Sequence, residues 1–373
     1  MVCRIGPVVV TSAWFPASYA AFQTDESAVQ DTCAERLVLT QRDQPFPMET
    51  AQLLATHSLM KVWACEDGSW IYEDVNGRAA LRISADYRCA AYWVDDPAQR
   101  ETVLPPLMQA LLECRLIHMG YVVFHCACVA KDGKAVAFSG PSGTGKSTRA
   151  LQWVEQMGAE WVSGDRPFID PALRMVYGAP WDGKEQLFRS VSYPLTAILE
   201  VRRSDKTALR EMTFQQKRSF LANQMMIPMW SPQLGASALA AMNRMIGQIP
   251  MYRLYCDQTR EAAQEVYEIL YHQQGAIQPP REEKRMRAKQ GFTVVDIAGD
   301  YMVMPTGSNM ATFGGTVALN KVSAFLFNAM QTDISQEDLL ERMLNQYDID
   351  RETAARDLAE ILETFRELGL IED

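Results

Sequence analysis

The run Gly140-Pro-Ser142-Gly143-Thr144-Gly145-Lys146-Ser147 constrains this chain more than any other segment. It matches G-x-x-x-x-G-K-[ST] in full and sits in the context that gives the pattern meaning. The apolar run Ala135-Val-Ala-Phe138 before it reads as a buried strand. Thr148 to Met157 after it, with Leu151, Trp153, Val154 and Met157 at helical spacing, reads as a helix packed on the sheet. Glycines let backbone N–H groups turn inward around phosphate oxygens, and the positive end of the following helix points at the same place. The expected nucleotide contacts are Gly140, Ser142, Gly143, Thr144, Gly145, Lys146, Ser147 and Thr148. Lys146 should reach the β- and γ-phosphates, and the Ser147 hydroxyl should ligate Mg²⁺.

Pumps, switches and kinases all use such a loop, so the reaction depends on other residues. Asp165 follows the β-rich segment Glu160-Trp-Val162, at the carboxyl end where ligands gather in open α/β sheets. A carboxylate there can hold Mg²⁺ or accept a hydroxyl proton; a turn or helix cap is the plainer alternative. His125 ends the strand Tyr121–Phe124 and faces either the same crevice or the core. In Gly178-Ala-Pro-Trp-Asp182-Gly183-Lys184-Glu185, and just beyond it, Lys184 and Arg189 are candidates for stabilising charge on a transferring phosphoryl group. A solvated surface loop is the alternative there.

Around this core the organisation is uneven. Residues 1–103 hold short β-rich pieces (36–40, 60–64, 70–72, 92–94) separated by turn signals, which predict an antiparallel, sheet-rich part. A helix is expected from Leu104 to Met119, a hairpin turn at Lys131-Asp-Gly-Lys134, and Met-rich helices between Met212 and Met245. Residues 104–278 form the catalytic part, 279–290 a linker, and 291–373 a small unit of three strands and three helices. Its second helix opens at Ser335 in a capping-box-like start, and its last starts near Asp350 and stops at Gly369.

Net charge is −10, from 36 basic and 46 acidic side chains. Twelve acidic and four basic residues fall in 336–373, so that stretch carries −8 and the remaining 335 residues only −2. The absence of a basic face argues against a nucleic-acid binder. The eight cysteines show no C-x-x-C spacing, which favours reduced thiols in a cytoplasmic protein. Apolar residues near the N-terminus faintly imitate a signal peptide, but Pro7 and Pro16 interrupt them. No apolar stretch approaches the roughly 18 residues of a membrane span.

His125, the loop from Gly140 to Thr148, and Val162-Ser-Gly-Asp165-Arg166 together resemble the HPr kinase/phosphorylase superfamily, most closely the HPr-kinase-like proteins of peptide-modification clusters, including lasso-peptide serine kinases. The resemblance spans about residues 100–275, and Gly178–Glu185 and Pro250-Met-Tyr-Arg-Leu254 share it. It implies an α/β P-loop kinase core related to ATP-dependent phosphoenolpyruvate carboxykinase, with ATP, Mg²⁺ and a hydroxyl acceptor. His125 and Asp165 then carry over as active-site residues, Lys146 and Ser147 as nucleotide residues, and Ser147 and Asp165 as metal ligands. The resembling bacterial kinases form hexamers, so a homo-oligomer is possible. Such proteins usually carry two adjacent aspartates after this strand; here the first position is Gly164, so either Asp182 or Glu185 substitutes or phosphoryl transfer is weakened.

Residues 291–373 resemble the PqqD-like peptide-recognition domain, a winged-helix-like α+β fold, through Gly315–Leu326, Leu339–Tyr347 and Asp357–Leu370. The resemblance implies binding of a precursor's leader peptide by strand addition. Together the two halves predict an ATP-dependent kinase that phosphorylates a Ser or Thr hydroxyl of a ribosomally made precursor. The alternatives are a small-molecule kinase or carboxykinase-like enzyme, and a non-catalytic, ATP-gated peptide chaperone.

Overall fold

Asp132 and Gly133, at φ of +49° and +73°, turn the chain back between strands Cys126–Lys131 and Lys134–Ser139, which pair from Cys126 opposite Ser139 to Lys131 opposite Lys134. Two central residues with positive φ match the twist of a two-residue hairpin. This hairpin lies inside a computed structural model that describes residues 1–26, 35–57, 59–141, 143–204, 206–256, 261–273, 275–281, 285–297, 300–307 and 316–372. The chain divides into two units, Met1–Pro280 and Arg281–Asp373.

In the first unit the hairpin belongs to a nine-stranded sheet. Strand Ser192–Arg203 runs parallel to Lys134–Ser139 on one side and to Met251–Cys256 on the other. Three carboxyl ends are therefore gathered beside Gly140, the place where open α/β sheets take ligands. The first three residues of Ser192–Arg203 pair instead with Met175–Tyr177, which continues the sheet through Phe168–Asp170 to Val122–Val123. Helix Lys146–Met157 packs Ala150 and Trp153 against Val136 and Phe138. Leu151, expected on that face, is 43% exposed, because the buried positions of this helix are Arg149, Ala150 and Trp153.

The N-terminal strands form an eight-stranded sheet. It is mixed, not antiparallel: Glu35–Gln41 runs parallel to both neighbours, Val8–Ser12 and Cys89–Val94. Side-chain alternation reports which face of a strand is buried and carries no information about its direction. Val2–Ile5 and Val8–Ser12 are strands of this sheet, and Ile5, Val8, Val9 and Val10 are buried, which accounts for the apolar residues near the N-terminus. Helix Arg100–His118 begins about a turn earlier than the Leu104 start expected from its apolar spacing. It buries Leu104, Leu107 and Leu111 in one cluster with Tyr72, Leu81 and Tyr92 of the sheet and with Phe168, Trp181 and Leu234. A shared core explains why no seam falls at residue 103. Within the first unit, Phe214–Gln224 and Pro232–Gln248 form helices capped by Thr213 and Ser231.

The second unit contains the sheet Phe292–Ile297, Asp300–Pro305, Val317–Leu319 in that order, with Asp300–Pro305 central. Helices Lys321–Ala329, Gln336–Gln346 and Arg351–Glu367 are N-capped by Asn320, Ser335 and Asp350. Leu326, Phe327, Leu339, Leu358, Leu362 and Phe365 make its core. Part of the expected linker belongs to this unit. Arg285–Ala288 is a strand between Ile334–Ser335 and Ile371–Glu372, with Arg285 against Asp333 and Arg287 against Glu372. Arg285 and Arg287, expected in a linker, are thus partnered by carboxylates of their own unit, which a count of charges along the chain cannot show. No described helix is long and apolar enough to cross a membrane.

Candidate functional site

Three loop glycines hold backbone angles that side chains resist: Gly140 at φ +143°, Gly143 at +82° and Gly145 at +93°. At Gly140 there is also little room, since a Cβ would lie 3.1 Å from Thr144 Oγ1 and 3.4 Å from the Val201 carbonyl oxygen. The Thr144 hydroxyl donates to the Pro141 carbonyl at 2.9 Å, which closes the turn. Gly145 precedes helix Lys146–Met157, and its carbonyl accepts from the Arg149 N–H at 2.9 Å. The first turn of that helix therefore presents Lys146, Ser147 and Thr148 at the loop. Lys146 Nζ donates to the carbonyls of Gly140 (2.9 Å) and Pro141 (3.1 Å), so the ammonium lies across the loop. Burial lowers its pKa, against the charges of Cys126 and Asp165. Ser142 lies outside the described residues.

The acidic side is built at the end of strand Glu160–Ser163. The Ser163 hydroxyl donates to the Asp165 carbonyl at 2.8 Å, and Trp181 Nε1 donates to the Arg166 carbonyl at 2.9 Å. These bonds pin a turn in which Arg166 adopts φ +51°. Non-glycine residues held at positive φ concentrate at functional sites. Asp165 Oδ1 lies 3.8 Å from His125 Nε2, and Oδ2 lies 3.8 Å from Arg166 Nε. Asp165 Oδ1 is buried without a hydrogen-bond partner. His125 is fixed by its backbone, whose N–H donates to Gln224 O and whose carbonyl accepts from the Ser139 hydroxyl at 2.7 Å. Desolvation first, then the Lys146 charge, lowers the imidazole pKa, while Asp165 opposes them. The ring is accordingly neutral at pH 7, held between an ammonium and a carboxylate.

Gly164 is the position at which the sequence resemblance led to an expected first aspartate. A Cβ there would lie 2.9 Å from both Asp182 Oδ1 and Glu185 Oε2. Carboxylates from the second loop thus fill the space that a side chain at 164 would take. Asp182 Oδ2 accepts from the Leu187 N–H at 2.5 Å, while Oδ1 is buried without a partner. Desolvation raises the Asp182 pKa, and the backbone N–H groups of Leu187, Gly183, Asp165 and Gly164 oppose this.

Among the described residues, no group of three or more His, Cys, Asp or Glu side chains is arranged to hold a metal ion. Nucleotide-bound Mg²⁺ takes most of its ligands from phosphate and water, so one hydroxyl with one or two carboxylates suffices. The hard oxygens of Ser147, Asp165 and Asp182, two of them on buried atoms without hydrogen bonds, suit that role.

The structure therefore brings Lys146, His125 and Asp165 together, and it does not join Lys184 or Arg189 to them by any described contact. Both are exposed; the hydrogen bond to Glu160 raises the Tyr193 pKa, and nearby Arg189 opposes that rise. Their parent loop contributes Asp182 and Glu185 instead. Arg203 was missed: its Nη2 donates to the Gly143 carbonyl at 2.8 Å. The available signal was its position at the carboxyl end of a strand parallel to the one feeding the loop. Glu113 was missed as well, since it lies mid-helix; it is buried and 3.7 Å from Arg166 Nη1.

In the second unit, the three-stranded sheet has two outer strands, Phe292–Ile297 and Val317–Leu319. Helix Lys321–Ala329 packs on this sheet and shares its core with Phe292 and Val303. Gly315 lies outside the described residues.

Residues 300–371 match the family described as Coenzyme PQQ synthesis protein D (PqqD). No curated protein matches the chain. Solved structures with similarity include "TbiB1 in Complex with the TbiA(beta) Leader Peptide", at 19% identity and TM-score 0.20, covering 23% of this chain and 94% of that one. Another is "Lasso peptide synthetase B1 complexed with the leader peptide", at 19% identity and TM-score 0.20, covering 24% of this chain and 98% of that one.

Proposed function

We propose that this chain is a cytoplasmic ATP-dependent kinase that phosphorylates a Ser or Thr hydroxyl of a ribosomally made precursor peptide, whose leader is held by residues 291–373. The observation that carries the reading is Asp165 Oδ1, buried, without a hydrogen-bond partner, 3.8 Å from His125 and at the same end of the sheet as the phosphate loop. A carboxylate oxygen of this kind is suited to accept a hydroxyl proton.

The loop N–H groups and the helix N-terminus hold the phosphates of ATP, with Lys146 and Arg203 supplying positive charge. Ser147, Asp165 and Asp182 would hold Mg²⁺, which supplies charge neutralisation on the phosphates when bound. Asp165 takes the proton as the acceptor oxygen bonds to the γ-phosphorus. The bond from that phosphorus to the bridging oxygen breaks, and ADP leaves with the electron pair. Neutral His125 orients the Asp165 carboxylate, and Arg166 adds positive charge beside it. Such catalysis is mostly positioning and electrostatics.

The PqqD match over 300–371 supports leader recognition. An extended peptide gains backbone hydrogen bonds along an outer strand, Phe292–Ile297 or Val317–Leu319. Tethering raises the acceptor's local concentration, so the catalytic site need not bind the core segment tightly. The test mixes the full chain, Mg-ATP and the precursor encoded beside its gene, and looks for a phosphate adduct by mass spectrometry. Precursor binding without an adduct would favour the nucleotide-gated chaperone, and transfer only to small alcohols the small-molecule kinase.

A further inference from the structure

We infer that the cavity beside Asp165 is the acceptor pocket and that it takes a hydroxyl-bearing residue flanked by an apolar or aromatic side chain, not by an acidic one; this rests on the kinase reading above. The cavity measures about 450 Å³. That lies toward the lower end of the roughly 300–1,000 Å³ typical of small-ligand pockets, room for a side chain and its neighbour but not for a folded surface.

Its construction supports this occupant. One wall comes from the N-terminal sheet, through Met60, Val62 and Tyr72, and the opposite one from helix Arg100–His118, through Pro106, Ala110 and Cys114. Trp230 closes a third side and is held edge-on against Trp70 and Tyr72, with ring centroids 5.3 and 5.9 Å apart. The walls are thus apolar and aromatic, and the aromatic corner is set by packing before any ligand arrives. Asp165 lines this cavity and also lies beside His125 and within electrostatic reach of Lys146. One carboxylate therefore faces both the phosphate loop and the pocket, as an acid–base group between donor and acceptor must.

Charge narrows the choice further. Glu113, Asp165 and Asp182 line the pocket against the single guanidinium of Arg166. Arg166 is already engaged, 3.7 Å from Glu113 and 3.8 Å from Asp165, and Glu113 also accepts from Gln109 Nε2 at 2.8 Å. An acidic flank would meet three carboxyl groups, with Arg166 already engaged and the imidazole of His57 the remaining basic group among the described lining residues, and like-charge juxtaposition rejects wrong partners strongly. Residues 1–103 then serve to select the acceptor.

The experiment compares leader-bearing precursor peptides with Phe, Leu or Asp beside the acceptor serine as substrates of the full chain, wild type, Met60→Trp and Leu59→Asp. Met60 is partly buried on a wall strand and Leu59 is 60% exposed at the rim, so both variants are expected to fold. The wild type should favour Phe or Leu over Asp in kcat/KM by about tenfold or more. Met60→Trp should raise KM for the Phe peptide by a similar factor while ATP affinity and leader affinity stay unchanged. Leu59→Asp should raise it less. Equal use of Asp and Phe peptides, or unchanged KM in Met60→Trp, overturns the pocket assignment while leaving the kinase reading in place. Transfer by the wild type to no peptide at all overturns the kinase reading itself, and the pocket with it.

Discussion

Two glycine-bearing turns end strands of the same sheet, and they work by different means. After Lys134–Ser139, the glycines at 140, 143 and 145 are needed for their angles, and the loop offers mainly backbone to a ligand. After Glu160–Ser163, Gly164 is needed for space, the positive φ falls on Arg166, and the chemistry is carried by side chains. Those side chains come from Gly164–Arg166, from Asp182 and Glu185, and from His125. A phosphate needs many N–H groups at once, which a short continuous segment supplies. A proton acceptor needs one oxygen in one place, which distant segments can assemble as readily as near ones. The first turn is expected to govern binding and the second to govern transfer.

The largest effects test that division directly. Asp165→Asn should lower kcat for peptide phosphorylation by about 10²–10⁴-fold, the range for loss of a general base, with ATP affinity within a factor of two. Lys146→Met should do the reverse at the binding step, weakening ATP by calorimetry. If Asp165→Asn loses ATP binding as severely as Lys146→Met, the two turns are one site and the comparison fails.

The next effect concerns Gly164. Alanine there places a methyl group 2.9 Å from two carboxylate oxygens at the ends of side chains that can swing aside, and should destabilise the fold by about 1 kcal/mol, the low end of the cost of overpacking. Aspartate should cost more, because a third carboxylate enters the same space. Combining Gly164→Asp with Asp182→Gly should recover part of the loss in melting temperature and activity if Asp182 does the work of the missing aspartate. A fully active and stable Gly164→Asp single variant would show that Asp182 and Glu185 merely occupy the space. Asp182→Asn alone should raise the Mg²⁺ concentration for half-maximal activity by about 10-fold, in the range seen when groups supporting a metal are lost.

What was legible in the chain follows the same line. The turn at Gly140–Gly145 and the helix that follows it could be read outright, because both are properties of consecutive residues. Asp165 and His125 could be placed near it, because each ends a strand. Asp182 and Glu185 were visible only as stand-ins once Gly164 was noticed. Lys184 and Arg189 were chosen by charge, and both are exposed without a described contact to Lys146, His125 or Asp165. Glu113 and the cavity wall at Met60 and Tyr72 were not legible, since only the packing of helix Arg100–His118 on the N-terminal sheet brings them to Asp165. The parallel pairings of Glu35–Gln41 were hidden too, because burial alternation is the same in either direction.

The smallest effect is a titration, and it asks whether His125 belongs to the binding turn or to the transfer turn. Desolvation and Lys146 lower its pKa from 6.5, and Asp165 raises it. A depressed pKa means that the fold disfavours the imidazolium. Its contribution to stability is present above about pH 6.5 and is lost as pH falls through the lower folded-state value. His125 is 42% exposed, so this contribution is small. The chemical shift of its ring protons should titrate with a midpoint below 6.5. Asp165→Asn removes the charge that raises it, so the midpoint should fall further. Lys146→Met removes a charge that lowers it, so the midpoint should rise. A wild-type midpoint above 6.5 would mean that Asp165 outweighs Lys146 and burial together. His125 would then be a cation paired with Asp165 through much of the working range, and Asp165 a weaker base than the comparison requires.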